Sequence, residues 1–376
     1  MVKTQIAQIN VPEGWIDFGI GQPQTGLLPL EYLAKAATHQ FKRKDHTILQ
    51  YGIQQGNGGL RISLAKFLST QYGAAVDPGH LFITAGISQA LDLICALRTS
   101  PGDTIIVEEP SYFLALRIFA DYGLKIIGTP IDENGLIIEK LEEKLLKYNP
   151  IFIYTIPTFH NPTGVTLPAN RREQLISLSE KYDFFIVADE VYQMLAYTST
   201  PPQPMTYYDT SKRVFSLGSF SKILAPGLRL GWIHTKPSLM KSLISCGYLD
   251  SGGGLNPFVS SIVTSIIELG LQKDYLNFLK KTYHKRMVVL SQAMRKYTPA
   301  LKFTAPHGGY FIWSCLSEEN DTESLLTKAH KHQVSFQTGI KFSSSKGLKN
   351  YLRFSFAYYD EEVLVEGVKR FSRIDL

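Results

Sequence analysis

Cysteine is scarce: the 376 residues hold only Cys95, Cys246 and Cys315, with no CxxC spacing. That excludes a disulfide framework and gives a zinc site nothing to build on, so the three read as reduced core thiols. Long apolar runs are missing too. No segment is uninterrupted enough to cross a bilayer, and the opening MVKTQIAQINVPEG has no apolar core of signal-peptide length. A cytoplasmic enzyme or binding protein is expected. Nor does one sign of charge accumulate. The formal +6, from 39 Lys plus Arg against 33 Asp plus Glu, clusters only as KRK at Lys42 to Lys44 and RR at Arg171 and Arg172. This does not argue for nucleic acid. Internal repeats, low-complexity tracts and disordered linkers are also absent.

What is present is an ordinary globular composition, 44% hydrophobic and 19% charged, in a chain long enough for one large domain and a smaller one. Short apolar runs end at polar or glycine-rich turns and alternate with helical patterns. LFIT (Leu81 to Thr84) precedes AGISQALDLICAL, and TIIV (Thr104 to Val107) precedes EEPSYFLALRIFADYG. IFIYTI (Ile151 to Ile156) runs into PTFHNPTG, FFIVA (Phe184 to Ala188) into DEVY, and VFSL (Val214 to Leu217) into GSFSK. Such alternation predicts an α/β domain with a mostly parallel sheet. After SGGGLNPF (Ser251 to Phe258) the pattern changes to long helical stretches with Gly270 in their interior. Strand candidates YFIWS (Tyr310 to Ser314) and YLRFSFA (Tyr351 to Ala357) follow. The composition shift places a domain boundary near Gly252 to Pro257.

Chemistry-bearing residues gather at the strand ends. In open α/β sheets ligands sit beyond the carboxyl ends of the strands, where loops converge. Ser88 follows LFIT, Tyr112 follows TIIV, Asn161 follows IFIYTI, Asp189 follows FFIVA, and Ser219, Ser221 and Lys222 follow VFSL. Five such ends together weigh more than any one residue. Gly86 feeds a helix whose first turn carries Ser88, and free N–H groups at a helix start favour phosphate. A serine there is more often only a cap, but Ser219, Ser221 and Arg229 supply the hydroxyls and guanidinium a dianion needs. Asp189 ends an apolar strand, so its carboxylate serves as a helix cap, joins a buried ion pair, or faces a protonated ring nitrogen of a cofactor. Tyr192, three residues on, is placed to turn back to the same pocket. Most lysines are solvated; Lys222, between Ser221 and Ile223 and upstream of Arg229, has instead the surroundings of a reactive amine.

NPTG (Asn161 to Gly164), ADEVY (Ala188 to Tyr192), SFSKILAPGLRLGW (Ser219 to Trp232) and LRFSFA (Leu352 to Ala357), in this order and spacing, resemble the class I/II, fold-type I pyridoxal-phosphate aminotransferases. The likeness is nearest the 2-aminoadipate, kynurenine and aromatic branch. It runs from DFGIGQP (Asp17 to Pro23) to LRFSFA. It implies a large domain, residues 38–255, with a mostly parallel seven-stranded sheet flanked by helices. A smaller α/β domain would take residues 1–37 and 256–376. The resemblance further implies that Lys222 holds pyridoxal 5'-phosphate as an internal aldimine and carries the proton between substrate and cofactor. Asp189 would pair with the pyridine nitrogen, Asn161 and Tyr192 would bond the ring phenolate oxygen, and Tyr112 would stack on the ring. The phosphate would be held by the Ile87 backbone, Ser88, Ser219, Ser221, Arg229 and, from a second subunit, Tyr51. Arg353, with the Gly21 backbone and the Asn161 amide, would clamp the substrate α-carboxylate.

Two positions depart from the pattern. The phosphate loop reads GIS, so Ile87 offers only its backbone N–H, and QPQTGLLP (Gln22 to Pro29) has no arginine for a second, distal carboxylate. An aminotransferase acting on an L-amino acid and a 2-oxo acid is expected, with the aromatic content and the leucines at 27 and 28 favouring bulky apolar or aromatic side chains. The alternatives are a lyase or decarboxylase of the same fold and cofactor, or a regulator's effector-binding domain. The last calls for a DNA-binding module, and no helix-turn-helix pattern precedes DFGIGQP. A homodimer without metal, nucleic acid or membrane partners completes the expectation.

Overall fold

The computed structural model describes residues 9–374. Residues 1–8, part of the segment read for a targeting signal, lie outside the described residues. After a two-residue strand β1 (Ile16–Asp17), the five apolar runs become strands close to their expected limits: β2 (Leu81–Thr84), β3 (Thr104–Glu109), β6 (Phe152–Thr155), β7 (Phe185–Asp189) and β8 (Val214–Ser219). Between and after them lie β4 (Lys125–Asp132), β5 (Gly135–Leu136) and β9 (Gly231–His234), which no single apolar run announced. They form one sheet in the order β2-β9-β8-β7-β6-β3-β4-β5. It thus has eight strands where seven were expected. The addition is β5, which a tight turn folds back antiparallel on the end of β4, Ile131 against Leu136.

From β8 to β4 the strands run parallel, and β9 is antiparallel to both its neighbours. Parallel strands covered on both faces need unbroken apolar sequence, and every residue of β6 and β8 is buried. One face packs Phe82, Phe152 and Phe215 against the helices Ile87–Arg98 and Phe113–Asp121, the latter through Phe119. The other packs Ile153 and Ile186 against Leu141 and Leu175 of the helices Ile138–Leu145 and Ala169–Tyr182. β3 lies between β4 and β6, so strand order switches there and the loops after β3 and β6 open a crevice at the sheet's carboxyl edge.

A second, antiparallel sheet holds β10 (Lys302–Phe303), β11 (Phe311–Cys315), β13 (Gln337–Thr338) and β14 (Tyr351–Ser355), in the order β10-β11-β14-β13. β12 (Val334–Ser335) pairs in parallel with β1 and ties the N-terminal segment to this part of the chain. The helical stretch expected through Gly270 is divided. Helices Pro257–Glu268 and Leu271–Tyr297 meet at that glycine, whose φ of 75° is left-handed and cannot continue a right-handed helix.

Candidate active site

Residues from both sheets and from the N-terminal segment converge at the crevice. Lys222 leaves the turn after β8 and its Nζ donates to the Gly21 carbonyl at 2.7 Å, 5.3 Å from the Tyr310 ring. Burial pushes its pKa down to about 8; Arg353 and then Arg229 add to the shift, and Asp189 opposes it. The free amine, which a nucleophile or base requires, is thereby far more accessible near neutrality than for an ordinary lysine. Asp189, the last residue of β7, is buried and accepts from Tyr154 Oη at 2.9 Å and from the Val191 N–H at 3.3 Å. Desolvation raises its pKa to about 6 against those two bonds. The carboxylate is short of positive charge.

Arg353, on β14 opposite Trp313 of β11, is only 3% exposed. Its Nη1 donates to Asn161 Oδ1 and its Nη2 to the Gly19 carbonyl, each at 2.8 Å. Its guanidinium lies 3.9 Å from the Phe311 ring centroid and 5.0 Å from that of Phe342. Burial lowers its pKa to about 10. Its Nε is buried with no hydrogen-bond partner among the described residues. A Cβ placed on Gly21 would sit 3.1 Å from Phe311 and 3.7 Å from Arg353 Nη2, so the backbone there closes one wall of the space. Tyr192 is buried beside Tyr310 and Phe311, its ring centroids 5.4 and 5.9 Å from theirs. Tyr112, which caps the helix Phe113–Asp121, has its pKa pushed up to about 12 by burial and Asp189, against Arg353 and Arg229.

The other end of the crevice is open and polar. Gly86, φ 85°, caps the helix that begins with Ile87 and Ser88. The positive φ favours glycine here, and a Cβ would also push against Arg229 Nη2 at 2.8 Å and shift that guanidinium. Arg229 itself is left-handed, φ 44°, a conformation costly for a side-chain-bearing residue. Its Nη1 reaches Ser221 Oγ at 3.5 Å and its Nη2 the Ala85 carbonyl at 3.2 Å. Ser219 Oγ donates to Ser221 Oγ at 2.9 Å and accepts from the Ser221 N–H. Two hydroxyls and a guanidinium thus lie together beside a helix start, donors of the kind that suit a phosphate dianion.

The residues fit pyridoxal phosphate on their own chemistry. A cation-poor buried carboxylate, a depressed amine and a phosphate-shaped corner lie along one crevice. Among the positions singled out in the sequence, Tyr51 lies outside these contacts. It is 83% exposed, beside the Gly52–Gly254 bridge. Four contributors gave no sequence signal of their own. Tyr154 sits in an apolar strand and reads as core, while Gly19, Phe311 and Phe342 reach the site from segments far apart in the chain.

Fold and site together define an enzyme that works through pyridoxal phosphate. The profile of "Aminotransferase class I and II" matches residues 13–371. The chain is 35% identical to an aromatic-amino-acid aminotransferase of Thermococcus litoralis, over 94% of this chain and 85% of that protein. It is 30% identical to a 2-aminoadipate transaminase of Thermus thermophilus, over 98% and 92%. A Pyrococcus horikoshii kynurenine aminotransferase structure superposes with a TM-score of 0.90 at 33% identity, covering 96% of this chain and 90% of that one. The chain therefore belongs to the class I and II aminotransferases, and pyridoxal phosphate is its cofactor. Among the described residues no helix is long and apolar enough to cross a membrane.

Proposed function

We propose that this aminotransferase moves the amino group of an aromatic or bulky apolar L-amino acid to a 2-oxo acid, with Arg353 gripping the α-carboxylate of both. The observation that carries the reading is the buried Arg353 guanidinium, set between Phe311 and Phe342. Those rings, with Trp313 5.5 Å from Phe342 and Tyr351 stacked 5.4 Å from Trp313, make the surroundings apolar and aromatic. The aromatic and kynurenine names of the relatives agree with such a donor.

When bound, pyridoxal phosphate supplies an electron-withdrawing ring that stabilises negative charge at the substrate α-carbon. The chain's residues do the rest. Arg353 and Asn161 fix the carboxylate and so the direction of the α-C–H bond. Lys222 Nζ takes the α-proton and returns it. Asp189 would hold the ring nitrogen's proton, whose positive charge this carboxylate lacks. Asn161 and Tyr192 would hydrogen-bond the cofactor's phenolate oxygen, and Tyr112 would stack on its ring. Ser88, Ser219, Ser221, Arg229 and the Ile87 N–H anchor the phosphate. Tyr51, exposed in the single chain, joins them from the second subunit of a cytoplasmic homodimer. Residues 38–255 act as the cofactor domain, with 1–37 and 256–376 as the smaller one.

A donor screen tests this reading. Phenylalanine, tyrosine or kynurenine converts the purified protein to its pyridoxamine form, and 2-oxoglutarate restores the original spectrum. Conversion by small or acidic donors alone sinks the aromatic assignment. Carbon dioxide or ammonia release without restoration by the oxo acid supports the lyase or decarboxylase alternative.

A further inference from the structure

The loop that follows β13 is tied to the end of β3 by a carboxylate. Glu109, the last residue of β3, accepts from the Ser344 N–H at 2.8 Å through Oε2, which the Ser344 hydroxyl also reaches, and from Ser345 Oγ at 3.4 Å through Oε1. Two residues on, the Ser111 N–H donates to the Phe342 carbonyl at 2.8 Å. The loop is also knotted internally: Ser343 Oγ accepts from the N–H groups of Ser345 and Gly347. Lys346 and Leu348 hold left-handed φ values of 62° and 59°, a strained backbone that persists only where its surroundings fix it.

Gly128 of β4 shows how closely the contact is fitted. A Cβ there would fall 2.5 Å from Ser344 Oγ and 2.9 Å from Glu109 Oε2, so the hydrogen-bonded pair occupies the space a side chain would take. What the tie holds in place is Phe342. That ring is fully buried, edge-on to Phe113 at 5.3 Å and 5.0 Å from the Arg353 guanidinium. It is a wall of the carboxylate site supplied by the segment between β13 and β14, and the Glu109 and Ser111 bonds join that segment to the first sheet.

We propose that Glu109 is a positioning residue for substrate binding: through Ser344 it latches the loop carrying Phe342, so that the wall beside Arg353 is in place before the amino acid arrives. Preorganisation of this kind appears in affinity, because an unlatched loop must be ordered by the substrate itself. Chemistry at Lys222, on the turn after β8, does not depend on the latch once substrate is seated. The inference rests on the assignment of Arg353 as the carboxylate clamp.

The experiment compares Glu109→Ala, Ser344→Ala and Gly128→Ala, the last leaving both latch groups intact but forcing them apart. Glu109→Ala and Gly128→Ala each raise KM for the amino donor about tenfold, the scale of one lost charge-assisted hydrogen bond, and Ser344→Ala, which keeps the backbone N–H bond, raises it about threefold, while kcat shifts by less than about twofold and the visible absorbance of the bound cofactor is unchanged. Glu109→Gln, which still accepts from the Ser344 N–H, restores most of the affinity. The Glu109→Ala/Ser344→Ala double variant is no worse than Glu109→Ala alone, because removing the carboxylate already removes every bond Ser344 makes to it. On the cofactor-free chain, trypsin cuts after Lys346 faster in all three single variants. An unchanged KM in both Ser344→Ala and Gly128→Ala, or a loss confined to kcat, overturns the latch, even where Glu109→Ala fails to fold. Arg353→Lys separates this from the site assignment. If it leaves KM unchanged, the carboxylate clamp is wrong; if it raises KM while the latch variants do not, only the latch is.

Discussion

Asp189 and Glu190 are neighbours at the end of β7, both buried, and they are treated oppositely. Glu190 accepts from the Met205 N–H at 2.7 Å and from the Ser216 hydroxyl, and lies 3.7 Å from Arg172. Arg172 in turn donates to the carbonyls of Leu167, Gln203 and Pro157 and to Thr158 Oγ1. On the crevice side Asp189 has two donors and no ion pair within 4 Å among the described residues, and Arg353 has two acceptors and an unpaired Nε. Both regions bury charge, yet only one satisfies it. A saturated network fixes loops, whereas an under-satisfied one is held in readiness for groups the chain does not itself contain.

Four substitutions test that contrast. Lys222→Ala is expected to lower turnover on the order of 10³-fold or more and to remove the visible band of the bound cofactor, with little change in melting temperature. A retained, borohydride-reducible band would refute its role. Asp189→Asn lowers kcat about 10²-fold but leaves the cofactor-free chain as stable as before or more so, because a desolvated carboxylate is gone. Glu190→Gln does the reverse, costing about 3 kcal/mol in denaturant unfolding with kcat per folded molecule nearly intact. If the two exchange behaviours, the comparison is broken. Tyr154→Phe, which removes one bond to Asp189, is expected to cost about threefold to tenfold in kcat.

The smallest effects are in pH. Asp189's folded pKa of about 6 exceeds the 3.8 of a free aspartate side chain, so the folded chain binds the proton more tightly. The cofactor-free protein therefore loses stability as pH rises from about 4 to 6. Asp189→Asn flattens that slope. Lys222, at about 8 against 10.5, has the opposite sign: the unfolded chain holds the proton longer, so stability rises from about pH 8 to 10.5. Reconstitution of the cofactor-free protein with pyridoxal phosphate accelerates with pH to a midpoint near 8. A midpoint above 10 would show an ordinary solvated lysine.

Much of this was legible beforehand because it is local. The five apolar runs end at β2, β3, β6, β7 and β8 within a residue or two, since strands covered on both faces, parallel or not, cannot hide their composition. The glycine before the Ser88 helix, and the serines before Arg229, are likewise short-range patterns. The eighth strand escaped notice because two residues carry no periodicity. Gly270 read as interior because glycine within an apolar helical stretch does not say whether it bends the helix or ends it.

The sequence alone determined the class of chemistry: an amine, a carboxylate and a phosphate corner at successive strand ends, in the order the family uses. Tertiary structure decided how those groups are supported. Arg353 meets Asn161 across 192 positions and Gly19 across 334, and Glu109 meets Ser344 across 235. Hydrogen-bond partners so distant leave no spacing to read. Which buried charges are satisfied, and which are left waiting, is settled only when the two sheets come together, because desolvation and pairing are properties of the assembled interior and not of any segment.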